Sequence, residues 1–240
     1  MRSAETADSR LALFALVPAA GSGSRMARGQ AKQYLGLAGR PMLWHALRAL
    51  CAVAVETVFV VLSAEDREFA RHDWSAFGAR VEPLYCGGAT RRDSVYNGLV
   101  AASALVDVDD WMLVHDAARP CVPRADIEAL IAECSADAIG GVLALPIAET
   151  VKRAGKDEAG VQRIAGTEDR TQLWLAQTPQ MFRAGLLAQA LRSAGGGVTD
   201  EASAVERLGL RPRLVTGSRE NLKVTYPEDL AIATAILAAR

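Results

Sequence analysis

The chain has 240 residues, half of them apolar and 23% charged, with 27 Lys and Arg against 28 Asp and Glu for a formal charge of −1. This excludes a disordered or collagen-like chain and allows a domain with a sizeable core. The near-neutral balance argues against nucleic-acid backbone binding, which needs a net basic surface, but leaves room for a local cation cluster around a small anion.

Residues 1–10 read as a loose tail ahead of a single domain spanning 11–240. Leu11 to Ala20 is apolar and ends in small residues, as a secretory signal does. Glu5 and Asp8 accompany Arg2 and Arg10, however, so the positive leading region of a signal is missing. No run approaches the ~18 apolar residues of a membrane span, and a cytoplasmic location is expected. Cys51, Cys86, Cys121 and Cys134 form no CxxC pair, and with His45, His72 and His115 they offer no zinc spacing. They read as idle thiols of a reducing compartment, one of which could be reactive.

Expected strands are Leu11–Val17, Thr57–Leu62, Val81–Tyr85, Trp111–His115, Gly141–Leu145, Pro212–Thr216 and Leu222–Thr225. Helices are expected between them. One starts with Pro41 at its first position and carries Leu43, Leu47 and Leu50. A second runs from about Arg92 to Leu105, and a third carries Ile127, Leu130, Ile131 and Cys134 at helical spacing. Asp200 and Glu201 suit the first turn of a helix ending near Gly209, and Thr225 with Glu228 has capping-box spacing ahead of the last one. Apolar strands alternating with helices imply an α/β fold: a mostly parallel central sheet with helices on both faces. Such sheets bind ligands beyond the carboxyl ends of their strands. Residues 148–172 break the rhythm and read as two short strands around a charged, Gly-containing turn, a protruding hairpin arm, or else as a long surface loop.

Polar clusters fall at the strand ends. After the first strand comes Pro18-Ala19-Ala20-Gly21-Ser22-Gly23-Ser24-Arg25-Met26, with Lys32 beyond it. Backbone N–H groups of such a loop can converge on an anion, and Arg25 and Lys32 add positive charge, although a Gly-Ser loop can also be a plain turn. It matches neither GxxxxGK[ST] nor GxGxxG. Gly87-Gly88-Ala89-Thr90-Arg91-Arg92-Asp93-Ser94 again puts glycines between a strand and a helix. Two arginines at a positive helix start tilt that cluster towards an anionic ligand. Asp116 follows a buried strand within His115-Asp116-Ala117-Ala118-Arg119, suited to holding Mg²⁺ against a phosphate or, alternatively, to capping a turn. Lys223 lies between apolar residues and could snorkel. Together the clusters aim Arg25, Lys32, Arg91, Lys223 and Asp116 at one crevice, a set suited to phosphoryl chemistry by positioning and charge.

These segments, with Lys32-Gln33-Tyr34-Leu35, Thr178-Pro179-Gln180, Thr199-Asp200-Glu201-Ala202-Ser203 and Asn221-Leu222-Lys223-Val224-Thr225, resemble the 2-C-methyl-D-erythritol 4-phosphate cytidylyltransferase family across residues 11–238. The resemblance implies a Rossmann-like nucleotidyltransferase fold. It also implies CMP transfer from CTP to 2-C-methyl-D-erythritol 4-phosphate in non-mevalonate isoprenoid synthesis, with Mg²⁺, in a homodimer with exchanged arms. By position, Pro18, Ala19, Ala20, Gly21, Gly23, Arg25 and Lys32 resemble the CTP loop. Gly88, Ala89, Ser94 and Ala117 resemble further nucleotide contacts; Ala89 stands where some members carry Asp, which leaves backbone contact there. Asp116 resembles a Mg²⁺ and substrate ligand. Arg119, Thr150, Thr178, Thr199 and Lys223 resemble groups around the sugar phosphate, and Arg170 one that reaches the neighbouring subunit's site. Arg25, Lys32 and Lys223 are the implied catalytic groups. A cytidylyltransferase for another polyol phosphate, such as ribitol 5-phosphate, shares the nucleotide loop. A nicotinamide dehydrogenase is disfavoured by the failed glycine fingerprint and by Glu65, too far from Gly21 for its ribose-binding acid. A non-catalytic scaffold would have lost Lys32 or Asp116.

Overall fold

The computed structural model describes residues 12–21 and 31–240. The tail at 1–10, Gly23 and Arg25 lie outside the described residues.

Seven strands form the central sheet: β1 (Leu13–Pro18), β4 (Val58–Val61), β5 (Val81–Leu84), β6 (Trp111–Val114), β7 (Gly140–Pro146), β10 (Trp174–Arg183) and β11 (Arg213–Thr216). Their order is β11-β7-β10-β6-β1-β4-β5. All the pairings are parallel except those of β10, which runs antiparallel to both β6 and β7. The sheet is thus mostly parallel, as the alternation of apolar strands and helices requires.

Alternation along β1 shows why its sequence is apolar throughout. Leu13, Ala15 and Val17 join one core, while Phe14 and Leu16 join the other. The first core is closed by α1 (Met42–Cys51) and α3 (Arg124–Cys134), through Leu43, Leu47, Leu50, Ile127 and Leu130. The opposite face is closed by α2 (Arg91–Ala102), α4 (Ala184–Ser193) and α5 (Glu201–Glu206), through Val95, Leu99, Leu187, Leu191 and Val205. Both faces are covered, so the central strands carry no polar face. A third apolar group joins Val224 and Ala233, of α6 (Pro227–Ala238), to Leu37 and Met42. Leu37 belongs to a two-strand ribbon, β2 (Gly36–Leu37) with β3 (Arg40–Pro41).

Several expectations need correction. Leu222–Thr225 is no strand: its alternate apolar residues serve the third apolar group, and its backbone reaches the rest of the chain through Val224 N–H donating to Ala118 O, 2.8 Å. Pro41 caps α1 from one position outside it. Leu105 lies beyond α2 and is 61% exposed. At α6 the capping acid is Asp229, not Glu228: one Asp229 oxygen accepts from the backbone N–H groups of Thr225 and Tyr226 at 2.6 and 2.8 Å. β10 and α4 have no counterpart in the sequence reading.

Residues 148–172 do carry a hairpin, β8 (Lys152–Lys156) with β9 (Gln162–Thr167), antiparallel. Its turn is closed by Asp157, whose carboxylate accepts from the N–H groups of Ala159 and Val161 at 3.0 and 2.9 Å.

Helix α2 lies close against the sheet because Gly98 has no side chain. A Cβ there would stand 2.5 Å from a Val61 methyl and 2.7 Å from a Leu16 methyl. Gly98→Val should therefore lower the denaturant midpoint, with an unchanged slope, by the equivalent of about 1–3 kcal/mol typical of overpacking. An unchanged midpoint would show that α2 can shift away freely.

Candidate active site

The carboxyl ends of β1, β4, β5 and β6 share one edge of the sheet, and the segments following β1, β5 and β6, with Lys223, line a cleft of about 480 Å³. Each wall has a local cause. Ala19 extends the parallel pairing by donating to Val61 O at 2.8 Å, and Gln33 donates its side-chain amide to Ala19 O at 2.6 Å. That bond ties the loop after β1 to a short 3-10 turn, Lys32–Tyr34, and sets Lys32 in the cleft wall.

The facing wall follows β5. Gly87 approaches Ala20 so closely that a Cβ would stand 2.3 Å from the Ala20 methyl, so the two loops meet only because residue 87 is glycine. Gly88 N–H donates to Ser94 Oγ at 3.1 Å, and that hydroxyl donates to Thr90 O at 3.0 Å. Thr90 caps α2 by accepting from Asp93 N–H. Ser94 therefore fixes the glycine loop from beneath.

The floor is Asp116, nearly buried, with cations on both oxygens. Arg91 Nε donates to Oδ1 at 3.0 Å, Lys223 Nζ pairs with Oδ2 at 2.8 Å, and Arg119 Nε stands 3.9 Å from Oδ2. Burial alone would raise the Asp116 pKa; the charges of Arg91 and Lys223 outweigh it and hold the carboxyl well below the usual range. Arg91 was expected to offer its charge to an external anion. Instead it faces two internal carboxylates, with Nη1 and Nη2 on the Glu201 oxygens at 2.6 and 3.0 Å.

Behind Asp116 lies a fully buried histidine. His115 Nε2 donates to Arg119 O at 3.1 Å, which leaves Nδ1 as the acceptor of the Thr178 hydroxyl, 3.1 Å away. Thr178 Oγ1 in turn accepts from Asp116 N–H at 3.0 Å. The chain of three bonds fixes the backbone of Asp116.

The cleft gathers most of the residues the sequence singled out. Pro18, Ala19, Ala20 and Gly21 line it with Lys32 on one side; Gly88, Ala89 and Ser94 line the other; Asp116, Ala117 and Lys223 complete it. Thr178 sits beneath Asp116, buried, with its hydroxyl engaged. Arg119 is buried too, donating to Asn221 O at 2.6 Å and Ala176 O at 3.3 Å, so it straps three segments together. Thr150 and Arg170 are exposed at the base of the hairpin arm, where Arg170 Nη1 donates to Ala148 O, and they do not line this cleft. Thr199 is exposed beside α5 and lines a small recess with Arg91 and Glu201. Glu201 and Gln180 were not foreseen as part of the site: both stand in segments that carry the family resemblance, and Glu201 also in a helix start, but neither was assigned a role. Among the described residues, no three His, Cys, Asp or Glu gather as a metal cluster, and no helix is long and apolar enough to cross a membrane.

The family model for 2-C-methyl-D-erythritol 4-phosphate cytidylyltransferase matches residues 13–239. The chain belongs to that family. The family member of that description from Dechloromonas aromatica is 54% identical over 228 residues, covering 95% of this chain and 98% of that one. The one from Laribacter hongkongensis is 56% identical over 226 residues, 93% and 95% of the two chains. A crystal structure of 4-diphosphocytidyl-2C-methyl-D-erythritol synthase is similar with a TM-score of 0.82 at 40% identity, covering 95% of this chain and 99% of that one. The cytidylyltransferase structure from Thermus thermophilus gives 0.76 at 29% identity, with 96% and 100% coverage. The resemblance drawn from the motifs, the α/β fold and the nucleotidyltransferase class are thereby established.

Burial lowers the His115 pKa from 6.5 to about 4. Above pH ~6.5 both folded and unfolded states hold it neutral; below that the unfolded chain takes up a proton that the folded site refuses. Stability present at neutral pH is thus lost as pH falls from about 6.5 towards 4, by about 3 kcal/mol from this residue. Asp116, with its depressed pKa, adds its own loss as pH falls below about 5, where the unfolded carboxyl begins to protonate. The thermal midpoint of ligand-free protein should therefore fall across this window, and less steeply in His115→Gln; parallel profiles for the two proteins would contradict the assignment.

Proposed function

We propose that the chain transfers the cytidylyl group of CTP to 2-C-methyl-D-erythritol 4-phosphate, releasing pyrophosphate, and so serves isoprenoid precursor synthesis. The observation that carries the reading is the convergence of Lys32, Lys223 and Asp116 with two glycine-bearing loops on one cleft at the carboxyl edge of the sheet. Its volume suits a nucleotide and a small polyol phosphate.

An oxygen of the polyol phosphate forms a bond to the α-phosphorus of CTP while the bond to the β-phosphate oxygen breaks, and the electron pair leaves with pyrophosphate. The attacking phosphate is already anionic near neutral pH, so no strong base is needed. The obstacle is repulsion between two anions, which the protein meets with fixed positive charge. Lys32, with Arg25 from the same sequence motif, neutralises the α-phosphate as it becomes crowded. Backbone N–H groups around Gly21 and Gly88 donate to the remaining phosphate oxygens and to the base. Lys223, held on Asp116, meets the acceptor phosphate and keeps it in line. Arg119, Thr178 and Thr199 belong to the acceptor half, the first two by shaping the floor.

Asp116, at the cleft floor, would be the carboxylate that holds a Mg²⁺ together with the triphosphate, since ions of this kind combine one or two carboxylates with substrate phosphates. When bound, the ion would neutralise phosphate charge. A CTP-consuming reaction belongs in the cytoplasm, where the unpaired Cys51, Cys86, Cys121 and Cys134 also stay reduced.

The arm is read as the dimer contact. Val161 and Ile164 on the arm, with Leu173 and Leu175 at its base, are 48%, 69%, 38% and 53% exposed. Such a surface on a two-strand hairpin calls for burial against a second copy, and two-fold exchange covers both arms at once. Thr150 and Arg170 then serve the neighbouring subunit's cleft, Arg170 by a bidentate contact to phosphate.

Lys32→Ala should reduce pyrophosphate release from CTP on the order of 10²–10³-fold with little change in thermal midpoint; near-normal turnover removes Lys32 from the mechanism. Running the same assay over several polyol phosphates tests the acceptor, since a preference for ribitol 5-phosphate would replace it. A second test mixes Lys32→Ala with Arg170→Ala under subunit exchange. Random pairing makes about half the dimers mixed, each with one complete site, so activity should recover to roughly a quarter of wild type. No recovery despite exchange contradicts the shared site, and a monomer in solution contradicts the exchanged arms.

A further inference from the structure

Glu201 has a fully buried side chain and does not line the cleft. It reaches the cleft through one residue, Arg91, which it grips with both oxygens. A buried carboxylate is costly unless paired and hydrogen-bonded, and the surrounding structure goes to some length to keep this one in place. Gln180 of β10, 1% exposed, accepts from Ala202 N–H at 2.8 Å and donates to Asp200 Oδ2 at 2.8 Å. Asp200 caps α5 by accepting from Ser203 N–H at 2.9 Å. The residues on either side of Glu201 are therefore both tied to one strand of the central sheet.

The consequence falls on Asp116. A guanidinium beside a lone carboxylate tends to pair through two parallel hydrogen bonds. Here Glu201 grips Nη1 and Nη2, and with the guanidinium held in that orientation Arg91 meets Asp116 through Nε, at Oδ1. Oδ2 stays with Lys223, the cation on the open side of the cleft, 45% exposed in its side chain. Glu201 also offsets one of the positive charges crowded around Asp116.

We propose that Glu201 is a positioning residue for the acceptor half of the site. It restrains Arg91 to a single bond with Asp116, and so keeps Asp116 Oδ2 and Lys223 directed at the polyol phosphate. The inference rests on the functional reading above and goes beyond it in assigning acceptor recognition to a side chain that touches no substrate. Without Glu201, Arg91 closes on both Asp116 oxygens and Lys223 loses its anchor.

The test is steady-state kinetics of Glu201→Gln, with KM for CTP and for 2-C-methyl-D-erythritol 4-phosphate measured separately. The expected result is a rise of about tenfold in the acceptor KM, the scale of one hydrogen bond to a charged group, with the CTP KM changed less than about threefold. Adding Arg91→Gln to Glu201→Gln removes the guanidinium that would close on Asp116, and should bring the acceptor KM back towards wild type. An unchanged acceptor KM, equal rises in both KM values, or a double variant weaker for acceptor than the single one each overturn the proposal. Should Glu201→Gln not accumulate as folded protein, the double variant, which buries no lone charge, decides: an acceptor KM within about threefold of wild type supports the proposal and a tenfold rise overturns it. Wild-type protein that releases no pyrophosphate from this substrate pair overturns the functional reading and the inference with it. An active wild type with unaltered Glu201→Gln kinetics overturns the inference alone.

Discussion

A carboxylate taken out of water must find positive charge, and Asp116 finds it on two segments distant in sequence and on its own loop. Arg91 comes from the start of α2, Lys223 from the stretch before α6, and Arg119 from its own loop. Arg119 also ties Asn221 and Ala176, so the segment carrying Lys223 is drawn to the sheet by the group that faces Asp116. One buried anion thus orders the cations of the cleft. The pairing need not stabilise the fold much, because desolvation offsets most of the attraction within a buried ion pair. Its effect is on geometry: each cation is held at a stated distance before any ligand arrives, which is what electrostatic preorganisation requires.

The rest of the fold serves to bring those segments together. Parallel strands deliver their carboxyl ends to one edge, so the loops after β1, β5 and β6 converge without long excursions. Close approach then depends on missing side chains: Gly87 against Ala20 at the mouth of the cleft, and Gly98 against the sheet beneath α2. β10 is the antiparallel exception, and it contributes the polar groups under the site. Thr178 supports the Asp116 backbone, and Gln180 fixes the start of α5.

The contrast between those two kinds of strand explains what the sequence revealed. β1, β4, β6 and β7 are legible because they are buried on both faces and so appear as uninterrupted apolar runs. β10 escaped for the opposite reason. Gln177, Thr178 and Gln180 are nearly fully buried, but they are polar, and Pro179 lacks the N–H a ladder uses. Leu222–Thr225 misled because alternation reports a half-buried extended chain, whether or not a neighbouring strand exists to pair with it. The glycine loops, Lys32, Asp116 and Lys223 were readable because each sits in a motif that is compact in sequence. The partner of Arg91 was not, since Glu201 lies 110 residues away and its local context already accounts for an acid at a helix start.

The charge on Asp116 is open to direct observation. A carbon-detected NMR titration of its side-chain carboxyl, in ligand-free protein labelled at aspartate, follows protonation of this group alone. If Arg91 and Lys223 hold the carboxylate as described, its resonance stays at the ionised position from neutral pH down to the onset of acid unfolding, with no step near the ordinary aspartate value of about 3.9. A titration midpoint at or above that value would mean that burial outweighs the cations, and that the frame of charge around the cleft is not organised by Asp116.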